Sequence, residues 1–129
     1  KNFSAKINRL FELRMRERLA NTIFNCTDFE EFLESVKLTK FDFIFVDPPY
    51  DSDFTDYDGR EFRNNDQERL AKYLNKLSSM VMIVIGDTEL IRSLYREPQW
   101  KIQEDDMKYK WTIKSRNDRA KTHLTITNY

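Results

Sequence analysis

Hydrophobic residues in this chain form two short continuous runs, and each run is followed by residues that favour a turn. Residues 41–46 contain five apolar residues out of six, and Asp47-Pro48-Pro49-Tyr50 follows directly. Residues 80–85 form the second run, with Gly86-Asp87-Thr88 after it. Runs of this length, rich in Phe, Ile and Val, are typical of strands buried on both faces of a parallel sheet. The first proline cannot donate to a ladder and the second holds its neighbour extended, so the first strand should end there.

Segments with helical periodicity lie around these two runs. A basic amphipathic helix is predicted over residues 3–20, and another helix is predicted to begin after a cap at Asn65 or Asp66. Thr27 and Glu30 have the spacing of a capping box, which predicts a third helix. That helix is expected to bury four apolar residues: Phe29, Phe32, Leu33 and Val36. Further extended segments are predicted at residues 22–25, 100–103, 109–113 and 124–128.

The order of these elements predicts the fold class. Strand, helix, strand, helix and then strands is an α/β pattern, with a mixed sheet whose carboxyl-terminal strands are antiparallel. A chain of 129 residues forms one domain at most. The pattern resembles part of a sheet rather than a complete doubly wound fold. Because an incomplete sheet leaves an apolar edge, two copies are expected to be able to pair through it.

Charge and glycine content change this picture at two points. The net charge is zero, but residues 1–20 carry six Lys and Arg against two acids, and residues 101–129 carry seven against four. Basic ends around an acidic centre fit a polyanionic partner and fit solvated surfaces equally well. Gly59 and Gly86 are the two glycines, and no Gly-x-Gly occurs. The chain therefore lacks the glycine-rich turn that lets backbone approach a nucleotide-type cofactor.

Several protein classes are disfavoured by composition. The single cysteine, Cys26, excludes an internal disulfide and fits a reducing cytoplasm. One cysteine and one histidine are poor material for a zinc site, so no metal is expected. No stretch approaches the length of a membrane span, and no secretory signal pattern follows Lys1. These features predict a cytoplasmic protein without a membrane partner.

The Asp47-Pro48-Pro49-Tyr50 turn carries groups suited to one kind of chemistry. The Asp47 carboxylate and the Pro48 carbonyl are two acceptors at the carboxyl end of a strand, where open α/β sheets bind ligands. Two acceptors outside the ring plane of an aromatic amine make its nitrogen more tetrahedral and its lone pair more available. Tyr50 offers a ring on which a base flipped out of a duplex could stack. Residues 51–65 are predicted to form a loop longer than most structural connections, which is typical of a lid or binding loop.

The same motif resembles the catalytic motif of S-adenosylmethionine-dependent amino-methyltransferases. The flanking chain is similar to the D12 class, or Dam-type, DNA N6-adenine methyltransferases. The segments that carry this similarity are Asp28-Phe29, then Phe62, Asp66, Gln67 and Leu70, then Asp87-Thr88 with Ile91 and Leu94-Tyr95, and finally residues 124–128. The resemblance implies a partial Rossmann-like methyltransferase fold, S-adenosylmethionine as methyl donor, no metal, and double-stranded DNA as the partner.

The resemblance also implies roles for individual residues. Asp47 and Pro48 would accept hydrogen bonds from adenine N6, and Pro49 and Tyr50 complete the catalytic motif, with Tyr50 stacking on the flipped base. Asp28 and Phe29, together with Asp47, would contact the cofactor. Tyr57 and Phe62 would line the base pocket, with packing within the loop as the alternative for both. The alternative for Asp28 is a helix cap, and the alternative for Phe29 is core packing.

The chain departs from the family pattern in what it lacks. The family's glycine-rich cofactor motif, acidic ribose-binding residue and target-recognition domain are not found. Residues 1–129 are therefore expected to be the carboxyl-terminal part of one catalytic domain, with little activity alone. The whole enzyme would be bacterial or phage-encoded, with a restriction-modification or housekeeping role. Two alternatives stay open: an rRNA guanine-N2 methyltransferase, and a non-catalytic α/β module that binds nucleic acid.

Overall fold

The computed structural model describes residues 13–49, 62–105 and 122–129. The part of the predicted helix 3–20 that precedes residue 13, the predicted strand at residues 109–113 and most of the predicted loop lie outside these ranges. The elements in the described part are α1 (Leu13–Ala20), α2 (Phe29–Ser35), β1 (Phe43–Val46), α3 (Asn64–Leu74), β2 (Met80–Gly86), α4 (Glu89–Leu94), β3 (Lys101–Asp105) and β4 (His123–Thr127). No helix in these ranges is long and apolar enough to cross a membrane.

The described strands form one mixed sheet in the order β1-β2-β4-β3. β1 and β2 are parallel, with Val46 opposite Ile83, and α3 lies in the connection between them. β4 lies between β2 and β3 and is antiparallel to both. The predicted mixed α/β sheet with antiparallel carboxyl-terminal strands is confirmed.

The core lies on one face of this sheet. Buried positions alternate along β2, because successive side chains of a strand point to opposite faces. The helices α3 and α4 cover that face with residues at helical spacing. The buried apolar residues are Leu33, Leu70, Ala71, Leu74, Val81, Ile83, Ile85, Ile91, Tyr95, Trp100, Leu124 and Ile126.

One prediction about β1 is wrong: the strand is not buried on both faces. Ile44 and Val46 pack against the core, whereas Phe43 is 53% exposed and Phe45 is 57% exposed. The rings of Phe43 and Tyr129 pack edge to face, with centroids 6.3 Å apart. The physical reason is position, because β1 lies at the edge of the sheet formed by the described strands, and the described core packs on the side of Ile44 and Val46. An apolar run alone does not show which faces are covered.

The start and the buried face of α2 also differ from the prediction. Asp28, not Thr27, is the N-cap, and its carboxylate accepts a hydrogen bond from the Glu30 N–H at 2.9 Å. Both residue types cap helices, but the negative charge of Asp is additionally favoured by the helix dipole. Leu33 is buried as expected. Phe32 and Val36 are each 40% exposed, so this part of the prediction is wrong. Residues 22–25 form no strand.

The helix α3 begins slightly earlier than predicted. Arg63 is its N-cap, and Asp66 closes the first turn by accepting the Arg63 N–H at 3.0 Å. The predicted apolar spacing holds inside the helix, where Leu70 and Leu74 are buried. The helix therefore presents its amino-terminal turns near the end of β1 while its apolar stripe lies on the sheet.

Candidate active site

The carboxyl end of β1 carries a carboxylate with no protein partner in the described part of the chain. We call Asp47-Pro48-Pro49 the Asp47 turn. Pro48 is buried, while Asp47 and Pro49 are exposed. No described residue makes a hydrogen bond or an ion pair with the Asp47 side chain. The turn thus combines an anchored backbone with a carboxylate that is available to a ligand.

A buried glutamine ties the Asp47 turn to α3. The Gln67 side chain is 1% exposed, and its Nε2 donates to the Pro49 carbonyl oxygen at 2.9 Å. The two residues are 18 positions apart in the chain. This bond is a long-range link between the turn and the helix that covers the sheet.

Two residues further along α3, an arginine ties the same helix to the amino end of α2. Arg69 donates to the carboxylates of Asp28 at 3.0 Å, Glu30 at 2.8 Å and Asp66 at 2.8 Å. Its guanidinium carbon also lies 4.9 Å from the centroid of the Phe29 ring. The hydrogen bond to Glu30, and to a smaller extent the one to Asp66, raises the pKa of Arg69 above its usual value. We call Arg69, Asp28, Glu30 and Asp66 the Arg69 cluster.

The predicted cofactor residues thus already have contacts within the protein. Asp28 caps α2 and pairs with Arg69. Phe29 is half-buried, and its ring lies 6.0 Å from that of Phe62, tilted by 59°. These contacts are the helix cap and the packing that the sequence allowed as alternatives. Cofactor contact by Asp28 and Phe29 stays a prediction.

An open hollow of about 360 Å³ adjoins this region. It is bounded by the extended segment before α2 and by one side of α2 itself. Its lining residues are Ile23, Phe24, Asn25, Thr27, Phe29 and Phe32. Three of these are aromatic, and Phe24 is 74% exposed, so the hollow offers ring surfaces to a planar ligand.

A second carboxylate stands at the end of β2, the parallel neighbour of β1. Asp87 accepts two hydrogen bonds from Arg92, at 2.6 Å from Nε and 2.8 Å from Nη2. The hydrogen bonds from Arg92 hold the pKa of Asp87 below its usual value. Arg92 also pairs with Glu104 on β3. Unlike the Asp47 carboxylate, the Asp87 carboxylate forms an ion pair with a described residue. Its contact with Arg92 links α4 to the end of β2.

The structure connects two groups of predicted site residues through one helix. Asp47, Pro48 and Pro49 reach α3 through Gln67, and Asp28 and Phe29 reach it through Arg69. Tyr50 and Tyr57 lie outside the described residues, and Phe62 packs on Phe29. Neither the anchoring by Gln67 nor the bridging by Arg69 was predicted. One signal was present for Gln67, because this polar residue falls on the apolar stripe of Leu70, Ala71 and Leu74.

A comparison with protein families identifies the chain at this point. Residues 1–111 match the model of the D12 class N6 adenine-specific DNA methyltransferases. The chain belongs to this family. The resemblance carried by the Asp-Pro-Pro-Tyr motif and its flanks is thereby confirmed at family level.

Individual relatives of this D12-class chain come from viruses and bacteria. The type II methyltransferase M.CviBI of Paramecium bursaria Chlorella virus NC1A is 37% identical over 90 residues, which are 67% of this chain and 34% of that protein. The retron Ec67 DNA adenine methylase of Escherichia coli is 37% identical over 86 residues, covering 64% and 30% of the two chains. The DNA N-6-adenine-methyltransferase of Escherichia phage P1 is 31% identical over 88 residues, covering 62% and 11%. The matched segments thus make up about a third or less of these relatives' own length. No solved structure matches the chain.

Proposed function

We propose that this chain is the carboxyl-terminal part of the catalytic domain of an S-adenosylmethionine-dependent enzyme that methylates N6 of an adenine flipped out of double-stranded DNA. The observation that carries the proposal is the Asp47 turn. It places an exposed carboxylate, which no residue in the described ranges pairs with, at the carboxyl end of a parallel strand. Family membership and the names of the relatives support the same activity. They favour DNA adenine over the rRNA guanine alternative.

The chain's own groups suit the amine side of this reaction. Asp47 and the Pro48 carbonyl would hold the two N6 hydrogens and so localise the nitrogen lone pair. They would keep that geometry while the nitrogen–methyl bond forms and the methyl–sulfur bond breaks, with its electron pair left on sulfur. Asp47 is then placed to accept the proton that N6 loses. Most of the rate enhancement would come from positioning of this kind.

The residues present fit one part of the methyl donor. When bound, S-adenosylmethionine supplies an electrophilic methyl group on a sulfonium sulfur. The aromatic hollow beside Asp28 has the ring surfaces that an adenine would stack on. With no Gly-x-Gly in the sequence, we expect other residues of the complete enzyme to hold the rest of the cofactor.

The sheet supports the proposal that more of the domain packs against β1. The covered face is an ordinary α/β core, whereas Phe43 and Phe45 leave large apolar surfaces on the other face of an edge strand. A complete Rossmann-like sheet would have helices on both faces and a further strand beside β1. In the absence of those elements, two copies of the chain would pair through this edge. A cytoplasmic site of action fits the same proposal.

The test is methylation by the complete enzyme with Asp47 replaced. Asp47→Ala should abolish transfer of labelled methyl groups to duplex DNA while largely sparing DNA affinity, because phosphate contacts dominate that affinity. Glu34→Ala is the matched control, since Glu34 is an exposed acid on α2 with no described side-chain partner. Label that enters rRNA instead of DNA would support the guanine-N2 alternative. Full activity of Asp47→Ala would make the methyltransferase assignment of this turn wrong.

A further inference from the structure

Gln67 occupies a position where an apolar side chain would be expected. It lies on the same stripe of α3 as Leu70, Ala71 and Leu74, and it is as deeply buried as they are. Burying an amide is unfavourable unless its polar atoms find partners. A glutamine in this place therefore needs a reason that an apolar residue could not supply.

The reason lies in the atom that Gln67 contacts. A carbonyl oxygen can only accept a hydrogen bond, so the 2.9 Å contact with the Pro49 carbonyl orients the Gln67 amide with Nε2 toward the Asp47 turn. The Gln67 Oε1 atom is buried and meets no donor from the described residues 13–49, 62–105 and 122–129. The amide thus forms one bond, to the turn, and leaves its acceptor unmatched within the described residues.

That bond acts at the carboxyl end of the turn. Each proline ring fixes its own φ near −65°, and a residue that precedes proline is restricted in ψ. In the Asp47 turn these rules fix φ of Pro48 and Pro49 and restrict ψ of Asp47 and Pro48. Two dihedrals remain: φ of Asp47, which directly follows β1, and ψ of Pro49, which sets the direction of the Pro49 carbonyl. The hydrogen bond from Gln67 holds that carbonyl.

We propose that Gln67 is a positioning residue for catalysis, which locks the Asp47 turn so that the Asp47 carboxylate and the Pro48 carbonyl face the substrate amine together. This inference rests on the proposed function, because it assigns Gln67 a part in the same reaction. It differs from a stabilising role, since the unmatched Oε1 makes Gln67 a costly residue for the fold alone.

The unmatched oxygen makes a decisive variant available. Gln67→Met keeps the length and volume of the side chain, removes the buried unmatched acceptor and deletes the bond to Pro49. We expect the melting temperature of the complete enzyme to stay the same or rise. We expect kcat for DNA methylation to fall about 10- to 100-fold, with KM for S-adenosylmethionine unchanged.

Gln99→Met is the matched control. The Gln99 amide also donates to a backbone carbonyl, that of Asn75 at 3.0 Å, but the contact is exposed and lies away from the turn. This variant should keep the wild-type kcat. A kcat of Gln67→Met equal to that of the wild type would overturn the proposal. So would a loss that simply follows a lowered folded fraction.

A readout independent of activity separates this inference from the proposed function. In the wild-type enzyme, the side-chain amide protons of Gln67 should exchange slowly with solvent by nitrogen-15 NMR, while those of the exposed Gln103 exchange fast. The Gln67→Met spectrum identifies the signal. If the wild type methylates nothing, the proposed function fails, and slow exchange at Gln67 still supports the anchoring of the turn. Fast exchange at Gln67 would overturn the anchoring whatever the activity.

Discussion

The Arg69 guanidinium lies over the ring of Phe29. It also donates to the carboxylates of Asp28 and Glu30, the residues directly before and after Phe29 in the sequence. One side chain of α3 thus holds three consecutive residues at the amino end of α2. Because those residues include the predicted cofactor contacts, we expect the position of α3 to influence the shape of the predicted cofactor region.

Replacing Arg69 should therefore affect cofactor affinity as well as stability. A lysine keeps the charge but cannot stack on Phe29 and reach several carboxylates at once. We expect Arg69→Lys to lower the free energy of unfolding only modestly, since the lost contacts are partly exposed to solvent. We also expect a raised KM for S-adenosylmethionine. Urea denaturation and steady-state kinetics measure the two effects.

Arg92→Lys provides the comparison for that variant. Arg92 likewise bridges carboxylates, on Asp87 and Glu104, but it contacts no predicted cofactor residue. This variant should lose stability without any change in KM for the cofactor. If Arg69→Lys and Arg92→Lys raised KM for S-adenosylmethionine equally, the effect would come from a general loss of stability and not from the contacts of Arg69.

The hollow beside α2 gives a second prediction about the cofactor. Phe24 is 74% exposed, so Phe24→Ala should hardly change stability. If an adenine stacks there, the loss of one aromatic surface should weaken cofactor binding about tenfold, by analogy with stacking of bases on aromatic side chains. Calorimetric titration with S-adenosylhomocysteine measures this. Val36→Ala, at a partly exposed aliphatic residue outside the hollow, should bind as the wild type does.

The ion pair at the end of β2 predicts a specific pH dependence. Arg92 lowers the pKa of Asp87, so the folded state favours the charged carboxylate. The stabilisation should be complete above the unfolded pKa of about 4 and should be lost as the pH falls through the lower folded value. Asp87→Asn should therefore be less stable than the wild type at pH 7. The two proteins should converge in strongly acidic solution, as measured by urea denaturation at several pH values.

The buried hydroxyl of Tyr95 leads us to expect that one substitution at this position will not lower the melting temperature. Tyr95 is 1% exposed, packs edge-on against Trp100 with centroids 5.0 Å apart, and its hydroxyl has no hydrogen-bond partner in the described structure. Burial raises the pKa of this hydroxyl. Tyr95→Phe should keep the ring contact and remove an unmatched polar group, so the melting temperature should not fall. A clear fall would mean that the hydroxyl has a partner in the folded protein.

Much of the fold follows from local patterns that are strong in this sequence. The two apolar runs locate β1 and β2, and the prolines after Val46 determine where β1 ends. The exposure of Phe43 and Phe45 does not follow, because it depends on which elements cover the sheet and not on the strand's own residues. The caps differ by one or two residues where several good capping types are adjacent, as at Thr27 and Asp28.

Some residues of the candidate site can be predicted from the sequence and others cannot. Asp47 is evident because a rare combination of residues follows a strand. Gln67 and Arg69 are less evident, because their importance lies in contacts with residues that are distant in the chain, Pro49 and Asp28. Sequence spacing within α3 shows that Gln67 is on the buried side, but it does not show which carbonyl the amide meets.

The strand order also constrains how the protein can be made. β4 is the last of the four described strands to leave the ribosome, yet it occupies the middle of the sheet, between β2 and β3. Until residues 123–127 emerge, β3 has no described strand to pair with and β2 has one free edge. Nascent chains stalled before this point should therefore remain sensitive to protease and should attract chaperones. The Asp47 turn would reach its final surroundings only after β4 has been made, although the residues of the turn are made much earlier.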